Sequence, residues 1–257
     1  MRGIGSWWSW MVLGFVYVGS GGGGAAAAYG APSADVVSLL RDADRARGGV
    51  QQGLGWTVSI DSDDDGDATS TTYQVRTRGD NAYVEVTQPA RSRGEVFLFN
   101  DRTIWFFKPT LRKPVAMSAR QKLSGQAANG DIASTNYVRD YDASLLRKER
   151  VDGALCFVLD LKSKHDSTSY DRIRYWINEK RRLGIKAEFL SLEGKIIKKA
   201  DFKYDQKVVI DGKSMDFVSE MKIVDALNAK NHSVMHYARP EIVKAPESLF
   251  NVNNLLR

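Results

Sequence analysis

Two histidines near the C-terminus are spaced as metal ligands could be. His232 and His236 are four residues apart, which on a helix would place both rings on one face. The surrounding residues instead alternate as in a β-strand, where positions four apart are about 13 Å distant. The glutamate that follows the first histidine in a zinc-protease helix is replaced here by Ser233. We therefore expect surface or partly buried histidines, no metal site and no cofactor.

A run of aspartates at residues 61–67 begins like a calcium-binding loop. It reads Asp-Ser-Asp-Asp-Asp-Gly-Asp, but the twelfth position, a bidentate glutamate in such loops, is Thr72. The flanking residues alternate like strands, whereas a calcium loop of this type lies between helices. A solvated hairpin tip is favoured, and weak calcium binding by the bare turn is the alternative.

The residues that could act as nucleophiles lack the surroundings that catalysis needs. Cys156, the single cysteine, lies in the apolar run Ala-Leu-Cys-Phe-Val-Leu, which indicates a buried structural thiol. No Gly-x-Ser-x-Gly motif occurs, and Asp131, Asp140 and Asp142 are expected to form caps and loop bonds. We predict that the protein is not an enzyme, with a lipid-directed hydrolase as the catalytic alternative.

The elements that position these residues are mostly strands. Ser33 and the apolar positions that follow it at helical spacing predict a helix to about Arg47, which Gly48-Gly49 ends. About eleven strands follow, joined mainly by short turns, with an irregular or helical stretch between residues 118 and 146. Such a meander predicts a mainly β (α+β) fold. We expect a strongly curved antiparallel sheet, or incomplete β-barrel, with a few helices covering the open side.

Several strands are apolar on both faces, which is unusual for a sheet with one face in water. Phe97 and Phe99 alternate with Val96 and Leu98, and residues 104–107 are apolar throughout. Either helices pack there as ordinary core, or a concave face holds an apolar ligand. The candidate cavity residues are Trp56, Val58, Phe97, Phe99, Trp105, Phe107, Leu159 and Trp176.

The N-terminal residues are typical of an export signal. Arg2 precedes an apolar run at residues 7–19 and a stretch of small residues at 21–28. We predict a signal peptide over residues 1–28, cleaved near Ala28, and one domain over residues 29–257 in the periplasm. A retained membrane anchor is the alternative.

The basic surplus is mild, with a formal net charge of +6. Short basic clusters occur at residues 180–182 and at Lys198-Lys199. They indicate a solvated surface, or docking to anionic headgroups or an acidic partner. An exported protein without interleaved aromatic residues in these clusters is not expected to bind nucleic acid.

From residue 94 onward the chain resembles the outer-membrane lipoprotein-sorting protein family, which belongs to the LolA-like superfamily of periplasmic lipoprotein carriers. The first residues that carry the resemblance are Gly94-Glu95-Val96-Phe97-Leu98, Ile104-Trp105-Phe106-Phe107-Lys108-Pro109, Leu123-Ser124-Gly125-Gln126, Asn129-Gly130-Asp131-Ile132-Ala133 and Asp140-Tyr141. Further along they are Tyr170, Arg172-Ile173, Tyr175-Trp176-Ile177, Gly194-Lys195, Lys198-Lys199, Phe250 and Leu255. The resemblance spans residues 34–257.

This resemblance implies a half-barrel with helices over its open side and a hydrophobic cavity between them. It further implies a carrier that binds acyl chains of lipids or lipoproteins and delivers them toward the outer membrane. An inner-membrane exporter and an outer-membrane acceptor are the implied partners. The alternative function is a non-catalytic scaffold or accessory subunit of an envelope export complex.

Overall fold

The computed structural model describes residues 34–133 and 136–256, so the predicted signal peptide lies outside the described residues. Two α-helices are present among them, α1 (Ala34–Arg45) and the short α2 (Tyr137–Asp140). The strands are β1 (Leu54–Asp64), β2 (Asp67–Arg78), β3 (Asn81–Gln88), β4 (Val96–Asn100), β5 (Thr103–Phe107), β6 (Val115–Met117), β7 (Lys122–Ser124), β8 (Ala127–Ala128), β9 (Tyr141–Val151), β10 (Ala154–Ser163), β11 (Arg172–Asn178), β12 (Gly184–Leu190), β13 (Ile196–Lys203), β14 (Gln206–Ile210), β15 (Lys213–Phe217), β16 (Glu220–Asp225) and β17 (His232–Ile242). Short 3-10 turns lie at Ala90–Ser92, Asn129–Asp131, Glu247–Phe250 and Val252–Leu256.

One antiparallel sheet organises the molecule. Its thirteen strands lie in the order β6-β5-β4-β3-β2-β1-β17-β16-β13-β12-β11-β10-β9. Two meanders therefore meet where the last strand, β17, pairs with the first, β1, in a register that sets Ile60 opposite Met235. Because β6 and β9 pair with only one neighbour each in this sheet, the sheet is curved but not closed. The hairpins β7–β8 and β14–β15 are separate from it.

The predicted fold class is confirmed, while two of its details differ. The main sheet has thirteen strands, not about eleven. The expectation of loop or helix at residues 141–146 was wrong, because β9 begins at Tyr141 and pairs with β10. Its Leu, Arg, Lys and Glu residues favour a helix in isolation, and sheet pairing overrides that weak local preference. The predicted first helix is confirmed, and it ends at Arg45.

Apolar residues fill both faces of the sheet, in different clusters. We define the inner face as the one that carries Val58 of β1 and Leu159 of β10, which belong to one large core cluster. Two smaller clusters lie on the outer face. The first is centred on Leu98 of β4, and the second joins Cys156 and Trp176. Cys156 is buried, as its apolar neighbours predict.

Helix α1 packs on the inner face. Its apolar residues Val36, Leu39, Leu40 and Ala43 belong to the same core cluster as the inner strand residues. Their spacing places them on one side of the helix, so burying that side against the sheet satisfies the amphipathic pattern. Among the described residues, no helix has the length and apolar content needed to cross a membrane.

Candidate functional site

The eight candidate cavity residues divide between the two faces of the sheet. Trp56, Val58, Phe97 and Leu159 are buried in the inner cluster, and the half-buried Phe99 packs against it. The other three candidates lie on the outer face: Trp105 and Phe107 pack in the first outer cluster, and Trp176 in the second. The structure thus brings five of the eight together. Their role in ligand binding stays a prediction.

The C-terminal segment explains why β4 and β5 are apolar on both sides. Phe250, Leu255 and Ala245 cover the outer face of these strands beside Val96 and Leu98. The amide of Asn100 on β4 donates to the backbone carbonyl of Phe250, at 2.9 Å, and holds the segment in place. The C-terminal segment therefore accounts for the apolar residues on the outer face of these two strands, and the inner face is the surface to which the predicted carrier function applies.

A buried arginine lies at the centre of the inner face. Arg47 is 5% exposed, and its guanidinium carbon lies 4.6 Å from the centre of the Phe202 ring. One nitrogen donates to the hydroxyl of Tyr137 at 3.3 Å, and another lies 3.6 Å from the sulfur of Met221. No carboxylate of the described residues lies within ion-pair distance, so aromatic rings and a hydroxyl solvate this charge.

Two buried carboxyl groups flank the arginine. The side chain of Asp44 accepts a hydrogen bond from the backbone N–H of Val138 at 3.0 Å and so ties α1 to α2. Burial raises the pKa of Asp44 to about 7, against the opposing effect of that N–H donor. Burial also raises the pKa of Asp131, whose carboxylate accepts from the hydroxyl of Tyr170 at 2.8 Å. The neutral form of Asp44 is therefore accessible near physiological pH.

Charged contacts hold α2 across the open side of the sheet. Arg139 donates through Nε to Asp140 at 2.6 Å, and its Nη1 lies 3.1 Å from Asp80 and 3.7 Å from Asp101. Asp80 belongs to the turn between β2 and β3, and Asp101 to the turn between β4 and β5. Because these carboxylates are partly exposed, the contacts are individually weak, and α2 is the part of the cover best suited to move.

The space beneath α2 is small in this conformation. A cavity of about 90 Å³ lies between Phe99, Ile104, Tyr137 and Tyr170, with Arg47 at its lining. Sites for small molecules usually measure about 300–1,000 Å³. An acyl chain could therefore enter the inner face only if α2 or α1 moved away from the sheet.

A serine, a histidine and an aspartate also meet at this opening. The hydroxyl of Ser167 lies 2.6 Å from Nδ1 of His165, whose Nε2 lies 3.2 Å from Oδ1 of Asp140. Ser167 is only two residues from His165, and Asp140 is already held by two bonds from Arg139. The arrangement thus joins the loop after β10 to α2, and it lacks the strained turn that presents a catalytic serine.

The other residues that the sequence singled out take part in ordinary structure. The aspartates at 61–67 form the hairpin tip between β1 and β2, where the N–H of Gly66 donates to Asp63 at 3.0 Å. His232 and His236 lie on strand β17, as expected. In the basic cluster at 180–182, Arg181 pairs with Asp216 at 3.0 Å and Arg182 pairs with Asp42.

Sequence reasoning missed Asp44, Arg47 and Arg139. The sequence does hold a signal for Asp44 and Arg47. On a helix they fall on the same side as the apolar positions 36, 40 and 43. Charged residues on an apolar side of a helix indicate buried polar contacts. Arg139 has no comparable signal, because its partners Asp80 and Asp101 are distant in sequence.

Comparison with known proteins places this architecture in a family. A LolA superfamily protein from Nitrosomonas europaea is 32% identical, with a TM-score of 0.76, over 85% of this chain and 98% of its own. The chain belongs to the LolA superfamily. A family model described as "Uncharacterized protein" matches residues 78–257. No curated protein matches the chain.

Two further solved structures share the fold of this LolA superfamily protein. A DUF1329 family protein from Desulfovibrio piger is 19% identical over 88% of this chain and 100% of its own, with a TM-score of 0.72. A domain from Vibrio parahaemolyticus assigned to outer membrane lipoprotein sorting is 18% identical over 87% of this chain and 99% of its own, with the same TM-score of 0.72. The fold is thus shared over most of the chain.

Proposed function

We propose that this LolA superfamily protein binds acyl chains of lipids or lipoproteins on the inner face of its sheet and carries them toward the outer membrane. The observation that supports this most directly is the inner cluster, which is apolar across the sheet. Its opening is covered by α2, which ion pairs of Arg139 attach to the neighbouring turns. An acyl chain in water is costly by about 0.8 kcal/mol per CH2 group, and an apolar surface that replaces water offsets this cost. Binding and transfer of this kind need no bond cleavage.

The carrier works in the periplasm in this proposal, after export and removal of residues 1–28. An inner-membrane exporter would load it, and an outer-membrane acceptor would unload it. Loading requires α2 to leave the opening, because the closed cavity of about 90 Å³ is too small for an acyl chain. Release follows when an acceptor binds the chain more tightly than the carrier does.

Native mass spectrometry with lipid extraction tests the proposal on protein purified from the periplasm. We expect co-purifying lipid or acylated peptide in the wild type. The variant Phe99→Asp should lose it, since a carboxylate at the cavity lining opposes acyl burial. Leu192→Asp is the matched control, because Leu192 is 76% exposed at a turn.

The outcomes separate the candidate functions. Lipid retained by Leu192→Asp and lost by Phe99→Asp, with both variants folded by circular dichroism, supports the carrier. A wild type that carries no lipid and takes up none when phospholipid or lipopeptide is offered contradicts the carrier and favours the scaffold. Changes at Trp105 or Phe107 do not test the inner site, because both residues lie on the outer face.

A further inference from the structure

A recess with apolar and polar walls lies on the outer face, away from the proposed carrier site. Its apolar wall is formed by Tyr83, Val96 and Phe107 on the strands and by Leu249 and Leu255 of the C-terminal segment, and its polar wall includes Glu85, Ser248 and Asn254. Its volume is about 390 Å³, compared with about 90 Å³ beneath α2. The recess is open to solvent along the surface, so an acyl chain can reach it without movement of the C-terminal segment. We call it the outer groove.

Two adjoining loops at one end of the outer groove are strongly basic. Residues 89–94 and 108–114 contain five Lys or Arg residues and no Asp or Glu. The loops are neighbours because Val96 and Phe107 are opposite each other in the β4–β5 ladder. Lys108 pairs with Glu95 at 3.4 Å. We call these two segments the basic loops.

Most of the charge on the basic loops is not neutralised by the protein. Within the part of the chain that the structure describes, the exposed side chains of Arg91, Arg93, Arg112 and Lys113 form no ion pair. Arg93 also donates to the carbonyl of Thr87 at 3.3 Å, and its side chain stays exposed. In the clusters at residues 180–182 and 198–199, Arg181 and Arg182 pair with aspartates, and the half-buried Lys198 donates to the carbonyl of Gln126 at 2.6 Å. The basic loops are therefore a cationic surface that is available to an anionic partner and lies beside the outer groove.

We infer that the outer groove and the basic loops together dock on an anionic phospholipid bilayer. The basic loops contact headgroup phosphates, and one acyl chain of a bound phospholipid enters the outer groove. A membrane fits better than an acidic protein surface because the apolar wall of the groove lies beside the charged loops, at Gly94 and Phe107, as the two parts of a phospholipid require. This inference concerns the outer face and is independent of the carrier function proposed for the inner face.

Vesicle flotation tests the charge component with the full mature chain. Vesicles of phosphatidylcholine alone are compared with vesicles that also contain phosphatidylglycerol, in about 0.1 M salt, where the Debye length is about 10 Å. Each basic residue near an anionic surface strengthens binding by about fivefold. A variant with four substitutions in the basic loops combines Arg91→Gln, Arg93→Gln, Arg112→Gln and Lys113→Gln. We expect it to bind the anionic vesicles at least about 100-fold more weakly than the wild type.

A control variant removes the same charge from another part of the sheet. It replaces exposed lysines that lie outside the basic loops: Lys195→Gln, Lys199→Gln, Lys222→Gln and Lys230→Gln. It should bind anionic vesicles as the wild type does. The inference is overturned if both variants with four substitutions bind the anionic vesicles equally weakly, or if the wild type does not bind these vesicles.

Fluorescence quenching tests the groove component and keeps it separate from the inner site. Phosphatidylglycerol with brominated acyl chains should quench Trp105, which packs beside Phe107 in the first outer cluster, and this quenching should vanish in Trp105→Phe. Quenching of Trp56, lost in Trp56→Phe, reports instead on acyl chains at the inner face. Quenching of Trp56 without quenching of Trp105 contradicts the outer groove, and quenching of Trp105 supports the outer groove whether or not Trp56 is quenched.

Discussion

At the scale of single residues, the inner site combines apolar surface with charged groups that have few partners. Arg47 is solvated by rings and a tyrosine hydroxyl, and one oxygen of Asp44 has no hydrogen-bond partner among the described residues. Buried groups of this kind lower stability and are retained where function uses them. Asp44 connects α1 to α2 at the cover of the proposed acyl site.

Asp44 should make stability depend on pH. Burial raises its pKa from 3.8 to about 7, so the folded state holds the proton more tightly than the unfolded chain. Its contribution to stability is complete below about pH 4 and is lost as pH rises toward 7. We expect this group to lower the free energy of unfolding by about 3 kcal/mol over that range. Urea denaturation at pH 5 and pH 8 measures most of this difference.

The variant Asp44→Asn cannot titrate but keeps an oxygen that accepts from the N–H of Val138. It should lose the part of the pH dependence that Asp44 supplies, whereas the control Asp152→Asn, at an exposed turn, should retain it. Identical pH dependence in Asp44→Asn and wild type would show that Asp44 is ionised in the folded protein throughout.

At the scale of elements, the cover of the inner face and the cover of the outer face are attached in different ways. α2 is held by ion pairs at the opening of the sheet and by Tyr137, which is buried against the rings of Tyr141 and Tyr175. The C-terminal segment is held by buried apolar side chains, Phe250 and Leu255 among them. Water competes with ion pairs but favours buried apolar contacts, so α2, which buries a single aromatic side chain, should open more readily than the C-terminal segment.

Removal of the Arg139 charge should loosen α2 without unfolding the domain. In Arg139→Gln we expect faster amide hydrogen exchange at residues 137–140 and a global stability change of no more than about 1 kcal/mol, because the ion pairs are partly exposed. Arg147→Gln, which removes an exposed pair with Glu149 elsewhere, is the control. Unchanged exchange at residues 137–140 would mean that Arg139 does not hold the cover.

The C-terminal segment should be a fixed part of the core. Phe250 is 3% exposed, so Phe250→Ala should lower the free energy of unfolding by about 3–5 kcal/mol. Leu227→Ala removes a side chain that is 81% exposed and should change it by less than about 0.5 kcal/mol. Chemical denaturation measures both. A small effect at Phe250 would indicate that the segment leaves the outer face easily.

At the scale of the whole molecule, the open sheet separates two surfaces that lipids could reach. The inner face is packed under α1 and α2, and the outer groove lies between the strands and the C-terminal segment beside the basic loops. Because β6 and β9 are not paired with each other, the inner face can widen without breaking a ladder between them. A closed barrel would not allow this.

Ligand binding to the folded protein should raise the melting temperature. At a lysophospholipid concentration near 100 times its Kd, the added stability is about 2.7 kcal/mol. For a domain of this size, that corresponds to a rise of about 5–10 °C. Differential scanning fluorimetry should show the rise in wild type and Leu192→Asp but not in Phe99→Asp. An equal rise in all three would place the bound lipid away from the inner cavity.

Local sequence patterns alone predict the fold class, the first helix and the superfamily of this protein. Alternating residues and short turns predict the antiparallel sheet, and the spacing from Val36 to Ala43 predicts α1, because strand and helix periodicity are properties of neighbouring residues. The ordered motifs from Gly94 onward predict the superfamily, which comparison confirms.

Only the tertiary structure decided which face each apolar residue occupies. Trp105 and Phe107 alternate with residues that are equally apolar, so a period of two cannot tell the inner face from the outer one. The requirement for glycine at position 184 is also invisible in sequence. An added Cβ there would lie 1.7 Å from the Tyr175 hydroxyl, so no larger residue fits. Contacts between distant segments, such as Arg139 with Asp80 and Asp101, arise only when the sheet curves and brings its ends together.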